Sequence, residues 1–127
     1  RILLLIMAEQ IAQQFAQHYY QTFSTNRPAL GSLYQADSIF TFEGEQHVGA
    51  QAIVMKLQQL PFQTVQHQVI SMDVQQSSEN AILVFINGTL KVDQDVNQLK
   101  FSQCFQLVSS GGSNFYVKND MFRINVG

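Results

Sequence analysis

Four acids in two short groups are the residues whose spacing first suggests chemistry. Glu43 and Glu45 follow Phe42, while Asp93 and Asp95 follow Val92, with Val96 just beyond, so each pair stands at the end of an apolar, strand-like run. If a sheet brings those ends together, they form a negative rim around an apolar hollow. Such a surface suits a basic partner carrying a hydrophobic knob, the knob supplying affinity and the rim orientation and rate. Acid–base catalysis asks for something different, carboxylates of unlike pKa meeting in one cavity. Asp120 and Asp37 are the candidates, and neither has a partner in sequence; Asp120 reads as the anchor of a bulge or turn through backbone hydrogen bonds. His18, His47 and His67 share no ligand spacing, and His67, in a strand, reads as a hydrogen-bonded structural imidazole. The chain has no glycine-rich phosphate loop, no serine elbow and no Cys/His cluster, so no catalytic residue, metal or cofactor is expected.

Strands must position those acids. Along Ala81–Val92, Ile82, Val84, Ile86, Leu90 and Val92 fall on one side of a period-two pattern, and Leu83 and Phe85 make the other side apolar for half its length. That predicts a strand covered on one face throughout and on the other at one end only. A second copy of the chain is the expected cover, with Leu83 and Phe85, together with Cys104 or Phe105 according to register, at the seam. Phe101–Val108 is the next strand, Ser109–Asn114 a hairpin turn, and Phe115–Lys118 and Phe122–Val126 close the sheet around a break or bulge at Asn119-Asp120. Earlier in the chain, Ile11, Phe15, Tyr19 and Phe23 recur every four residues and predict an amphipathic helix from Glu9 to about Ser24. Asn26-Arg27-Pro28 opens a short second helix, Ile39–Phe42 is a strand, Ala50–Leu60 is a third helix ended by Pro61, and Val65–Val74 is a further strand. The expected class is α+β, with three amino-terminal helices packed on a strongly curved, mostly antiparallel sheet.

The whole chain has the size of one domain. Seven Lys and Arg against nine Asp and Glu leave no basic footprint for nucleic acid. The single Cys104 excludes an internal disulfide and suits a small core or interface filler. Residues 1–7, Arg-Ile-Leu-Leu-Leu-Ile-Met, form a hydrophobic run too short to span a bilayer, so no membrane insertion is expected. They read as a non-native or disordered prefix to a domain over 8–127.

His18-Tyr19-Tyr20, Arg27…Leu30-Gly31…Leu33-Tyr34, Thr41-Phe42-Glu43-Gly44, Ile53-Val54…Lys56-Leu57…Leu60-Pro61-Phe62-Gln63, Gln66-His67, Phe101-Ser102-Gln103 and Asn119-Asp120-Met121-Phe122-Arg123 closely resemble the nuclear transport factor 2 family, in order from Glu9 to Ile124. The resemblance implies a cone-shaped NTF2-like fold and a homodimeric, non-catalytic carrier moving between cytoplasm and nucleus through the nuclear pore. Its implied partners are Ran in the GDP form and the phenylalanine-glycine repeats of nucleoporins. On this chain the implied charged contacts to Ran are Glu43, Asp93 and Asp95. The implied hydrophobic cavity comprises Phe42, where many relatives carry tryptophan, with Leu60, Val65, Met121 and Phe122. Repeat binding falls on Ala8, where relatives often carry an aromatic residue, and on nearby Ile11 and Phe15. Two other readings remain beside this one: an adaptor of the same fold that binds nucleoporins or an export partner without Ran, and a small-molecule isomerase or dehydratase using the cavity.

Overall fold

The structure, a computed structural model, describes residues 2–112 and 114–126, with side chains from Met7 onward. Helix α1 spans Ile2–Thr25. Nothing in that stretch breaks a helix, neither glycine nor proline, and its four-residue spacing buries Ala12, Ala16, Tyr19, Tyr20 and Phe23 along one stripe. The backbone is helical across the Met7–Ala8 boundary; the expectation of a distinct prefix otherwise falls on side chains of 1–6, outside the described residues. Pro28 sits at the start of a 3₁₀ turn, Arg27–Leu33, where its missing N–H costs nothing.

Strand β1 (Tyr34–Phe42) turns into β2 (Glu45–Val48), and helix α2 (Ala50–Gln59) follows. Strands β3 (Val65–Ser78), β4 (Ala81–Val92), β5 (Leu99–Gly111) and β6 (Asn114–Asn125) complete the chain. They form one six-stranded sheet in the order β2-β1-β6-β5-β4-β3, in which β1 and β6 run parallel and the other neighbours antiparallel.

This architecture corrects the expected one. The sheet is an open, mixed sheet edged by β2 and β3 rather than a strongly curved cone, and α2 comes after two strands, so the helices are not all amino-terminal. Period-two alternation reports which face of a strand is covered; it carries no information on how far neighbouring strands twist or whether the end strands meet. Of the break or bulge expected near Asn119-Asp120 the structure shows the bulge: β6 is unbroken, but Gln106 pairs with Asn119 and Leu107 with Val117, so Lys118 is the extra residue.

The helices cover one face of the sheet. Ile82, Val84, Ile86, Phe101, Phe105, Leu107 and Val117 are fully or almost fully buried there. Gly88 allows β3 to approach: a Cβ on it would lie 2.2 Å from the Gln68 carbonyl oxygen, next to the bulge that frees Ile70. On the opposite face Leu83 and Phe85 remain 38% and 42% exposed within this chain. The register pairs Phe85 with Cys104 and Cys104 with Met121, whereas Phe105 pairs with Val84 on the covered face. Phe105 is therefore a core residue rather than a seam residue, fully buried and edge-on to Phe15 and Tyr19 at 4.9 Å from each.

Candidate functional site

A hollow of about 130 Å³ lies between the helices and the sheet. It is lined by Tyr19, Phe23, Phe40, Phe42, Phe62, Val65, His67, Leu90, Val92, Leu99, Gln103, Phe122 and Ile124. Strand alternation delivers most of these side chains from β1, β3, β4, β5 and β6, while α1 adds Tyr19 and Phe23 and the link between α2 and β3 adds Phe62. Phe42 and Phe122 stack nearly parallel, 5.2 Å between centroids, because the parallel β1–β6 register sets them side by side. Phe122 stacks in turn on Phe101 at 5.7 Å. Lys56 lies over the Phe42 ring at 5.4 Å while pairing with Glu45 at 2.8 Å, so Glu45 is engaged on β2.

Of the residues expected to line this hollow, Phe42, Val65 and Phe122 do. Met121 does not: one position from Phe122 along β6, it projects to the opposite face, 53% exposed, opposite Cys104. Leu60 is buried but stands outside the lining, where Phe62 takes the expected place.

Glu43 and Asp93 follow lining residues Phe42 and Val92, and both have left-handed backbones with φ of 51°. Each is tied to the far side of its strand end. The Glu43 N–H donates to the Phe122 carbonyl at 3.1 Å, and the Glu43 carboxylate accepts from the Ile124 N–H. The Asp93 N–H donates to the Thr64 carbonyl at 2.8 Å, and its Oδ1 accepts from the N–H groups of Gln63 and Thr64 at 2.9 and 3.0 Å. Those backbone amides, with Arg27 a smaller influence, hold the Asp93 carboxyl below its ordinary pKa. Asp95 accepts from the Asn97 N–H at 3.0 Å in the exposed turn beyond.

Arg27 is the brace that sequence reasoning missed. Its guanidinium donates to the carbonyls of Leu57, Phe62 and Gln63 at 3.3, 2.9 and 3.1 Å, and it lies 5.0 Å from the rings of both Phe23 and Phe62. It thereby joins the ends of α1 and α2 to the segment that Asp93 caps. Its partners are backbone carbonyls 30 to 36 residues along the chain, and no local spacing marks such a contact.

The polar floor differs from expectation as well. Asp120 is fully buried and its partners are side chains rather than backbone. Tyr34 donates to Oδ2 at 2.7 Å, Tyr19 lies 3.3 Å from the same oxygen and 3.0 Å from the Tyr34 hydroxyl, and the Gln103 amide donates to Oδ1 at 2.8 Å. Tyr20 completes the chain by donating to Gln103 Oε1 at 2.8 Å. Burial raises the Asp120 carboxyl to about 6, against the opposing pull of its Gln103, Tyr34 and Tyr19 hydrogen bonds. His67 stacks on Tyr20 at 4.3 Å with Phe23 and Phe101 edge-on; its buried Nδ1 has no hydrogen-bond partner among the described residues, against the expected hydrogen-bonded imidazole. Burial, then Arg27, lowers the imidazole to about 4.

Elsewhere, Ala8 is buried, and Ile11 and Phe15 are half-buried against the core. Burial, then the charge of Asp120, raises the half-buried Cys104 thiol. Among the described residues no three His, Cys, Asp or Glu side chains could hold a metal, and no helix is long and apolar enough to cross a membrane.

Residues 11–124 match the model of the nuclear transport factor 2 (NTF2) domain family. The chain is 53% identical over 121 residues to nuclear transport factor 2 of Oryza sativa subsp. japonica, covering 94% of this chain and 98% of that one. It is 48% identical to nuclear transport factor 2 of Saccharomyces cerevisiae, over 91% and 92% of the two chains. The solved structure of nuclear transport factor 2 from Cryptosporidium parvum superposes with a TM-score of 0.89 at 47% identity, covering 94% and 95%.

Proposed function

The chain belongs to the nuclear transport factor 2 family, and we propose that within nuclear transport it is a carrier of Ran in its GDP form. The observation that carries this reading is the pairing of an aromatic hollow with two acids anchored beside its lining. Glu43 extends the Phe42 wall and Asp93 the Val92 wall, each pinned to backbone on a neighbouring segment. An aromatic side chain of a partner would fill the hollow, and lysine or arginine beside it would meet Glu43, Asp93 and, in the exposed turn beyond, Asp95. Because GTPase switch segments are arranged differently in the two nucleotide states, a preformed hollow that fits one arrangement selects GDP from GTP without hydrolysis. The family is one of transport factors, and the buried Asp120 network, with both carboxylate oxygens bonded, acts as a structural brace rather than a catalytic acid.

In the same reading the chain passes between cytoplasm and nucleus through the pore by weak contacts with phenylalanine-glycine repeats near the start of α1. Ala8 is buried, so Ile11, Phe15 and exposed Met7 have more surface to give. Two copies pair through the outer face bearing Leu83, Phe85, Cys104 and Met121, which the register sets side by side across β4, β5 and β6 and which the single chain leaves partly exposed.

Calorimetric titration with Ran loaded with GDP or GTP tests the proposal. Glu43→Gln and Asp93→Asn keep the oxygen that accepts backbone hydrogen bonds while removing the charge, so a loss of affinity reports the contact rather than the fold. Binding confined to the GDP form, and weakened about tenfold or more by either variant, is expected. Repeat binding without recognition of either Ran form would instead make the protein an adaptor.

A further inference from the structure

Arg27 and Asp93 make no hydrogen bond to each other, yet two peptide groups join them. Arg27 Nη2 donates to the carbonyls of Phe62 and Gln63 at 2.9 and 3.1 Å. Asp93 Oδ1 accepts from the N–H groups of Gln63 and Thr64 at 2.9 and 3.0 Å. The Phe62 carbonyl and the Gln63 N–H belong to one peptide group, and the Gln63 carbonyl and the Thr64 N–H to the next. Each group therefore accepts from the guanidinium on one side and donates to the carboxylate on the other. Cation, peptide dipole and anion stand in series twice over, an arrangement in which each hydrogen bond polarises the next.

The series commits one carboxylate oxygen and leaves the other. Asp93 Oδ1 is held by the two amides, while Oδ2 makes no hydrogen bond among the described residues, and the side chain is exposed to an incoming cation. The first of the two peptide groups begins at Phe62, a lining residue of the hollow whose ring lies 5.0 Å from the guanidinium. Arg27 itself is outside the lining, only 8% exposed, and tied to the Leu57 carbonyl as well, so it offers a partner no direct contact. We propose that Arg27 is a positioning residue: through the two peptide groups it fixes the Asp93 carboxylate so that Oδ2 meets a basic side chain of the partner. Its part in recognition rests on the carrier reading, whereas the relay is a property of the free protein.

The test uses Arg27→Lys, which keeps the positive charge and loses the planar fork. By calorimetry its affinity for Ran-GDP should fall about threefold to tenfold against wild type. In an Asp93→Asn background the same change should cost about twofold or less, and in a Glu43→Gln background the full factor. A brace that served stability alone would lower the urea midpoint and leave the affinity of the folded protein unchanged; that result, or equal losses in both backgrounds, overturns the proposal. NMR of the free protein reads the relay without a partner. The Gln63 and Thr64 amide protons should move upfield together in Arg27→Lys, and the Arg27 guanidinium resonances should move in Asp93→Asn but not in Glu43→Gln. The second comparison decides the matter even where Arg27→Lys fails to fold. Wild-type protein that does not bind Ran-GDP removes the carrier reading, whereas amide and guanidinium resonances that stay fixed overturn the relay.

Discussion

Tyr34 donates its hydroxyl hydrogen to the buried carboxylate of Asp120 across 2.7 Å, joining the first residue of β1 to the middle of β6. The bond lies at the one parallel pairing in the sheet, where β1 and β6 also bring Phe42 onto Phe122. Tyr34→Phe leaves the Oδ2 atom with Tyr19 alone and should cost about 1–3 kcal/mol in urea unfolding, within the range for a charge-assisted buried bond. A change below about 0.5 kcal/mol would mean that Tyr19 compensates fully.

Asp120 and His67 should oppose each other in pH dependence. The Asp120 carboxyl is raised from 3.8 to about 6, so the native state holds its proton where the unfolded chain has lost it, and stability falls as pH rises through that window. The His67 imidazole is lowered from 6.5 to about 4, so the unfolded chain holds the extra proton and stability rises with pH between those values. Each effect is at most about 3 kcal/mol, and over pH 4–6 they largely cancel. Relative to wild type, Asp120→Asn should gain stability as pH rises from 4 to 6, and His67→Phe should lose it. Urea midpoints at four pH values check both slopes, and the comparison with wild type removes the contribution of surface carboxylates.

At Asp93 the carboxylate and the left-handed backbone act together. Asparagine keeps the acceptor and tolerates φ of 51°, while alanine loses the bonds to Gln63 and Thr64 and is strained there. Asp93→Ala should lower the thermal midpoint by several degrees, and Asp93→Asn should leave it almost unchanged. In the proposed complex, Asp93→Asn should slow association with Ran-GDP more at low salt than at high salt, read by stopped flow.

Phe85 and Phe105 stand on opposite faces of adjacent strands and separate self-association from folding. Phe85→Lys should yield a folded monomer by sedimentation at low micromolar concentration. Phe105→Ala removes a fully buried ring from against Phe15 and Tyr19, and should cost about 3–5 kcal/mol of stability. A folded Phe85→Lys variant that sediments like the wild type would remove that face from the proposed seam.

Local patterning was enough to read much of this protein. The stripe Ile11, Phe15, Tyr19, Phe23 made a helix, the alternation in Ala81–Val92 separated a covered from a partly bare face, and the acids Glu43 and Asp93 stood at strand ends beside aromatic or aliphatic walls. These features depend on neighbours within a few residues, where spacing translates directly into side-chain direction. What depended on distant pairing was decided only by tertiary structure. One step of register sends Met121 out and Phe122 in, and chooses Cys104 over Phe105 for the outer face. The openness of the sheet follows from which strands end as edges, and the Asp120 cluster draws Tyr19, Tyr34 and Gln103 from three separate elements. No local pattern encodes such meetings, because each contact is stabilised only once strands far apart in the chain have paired.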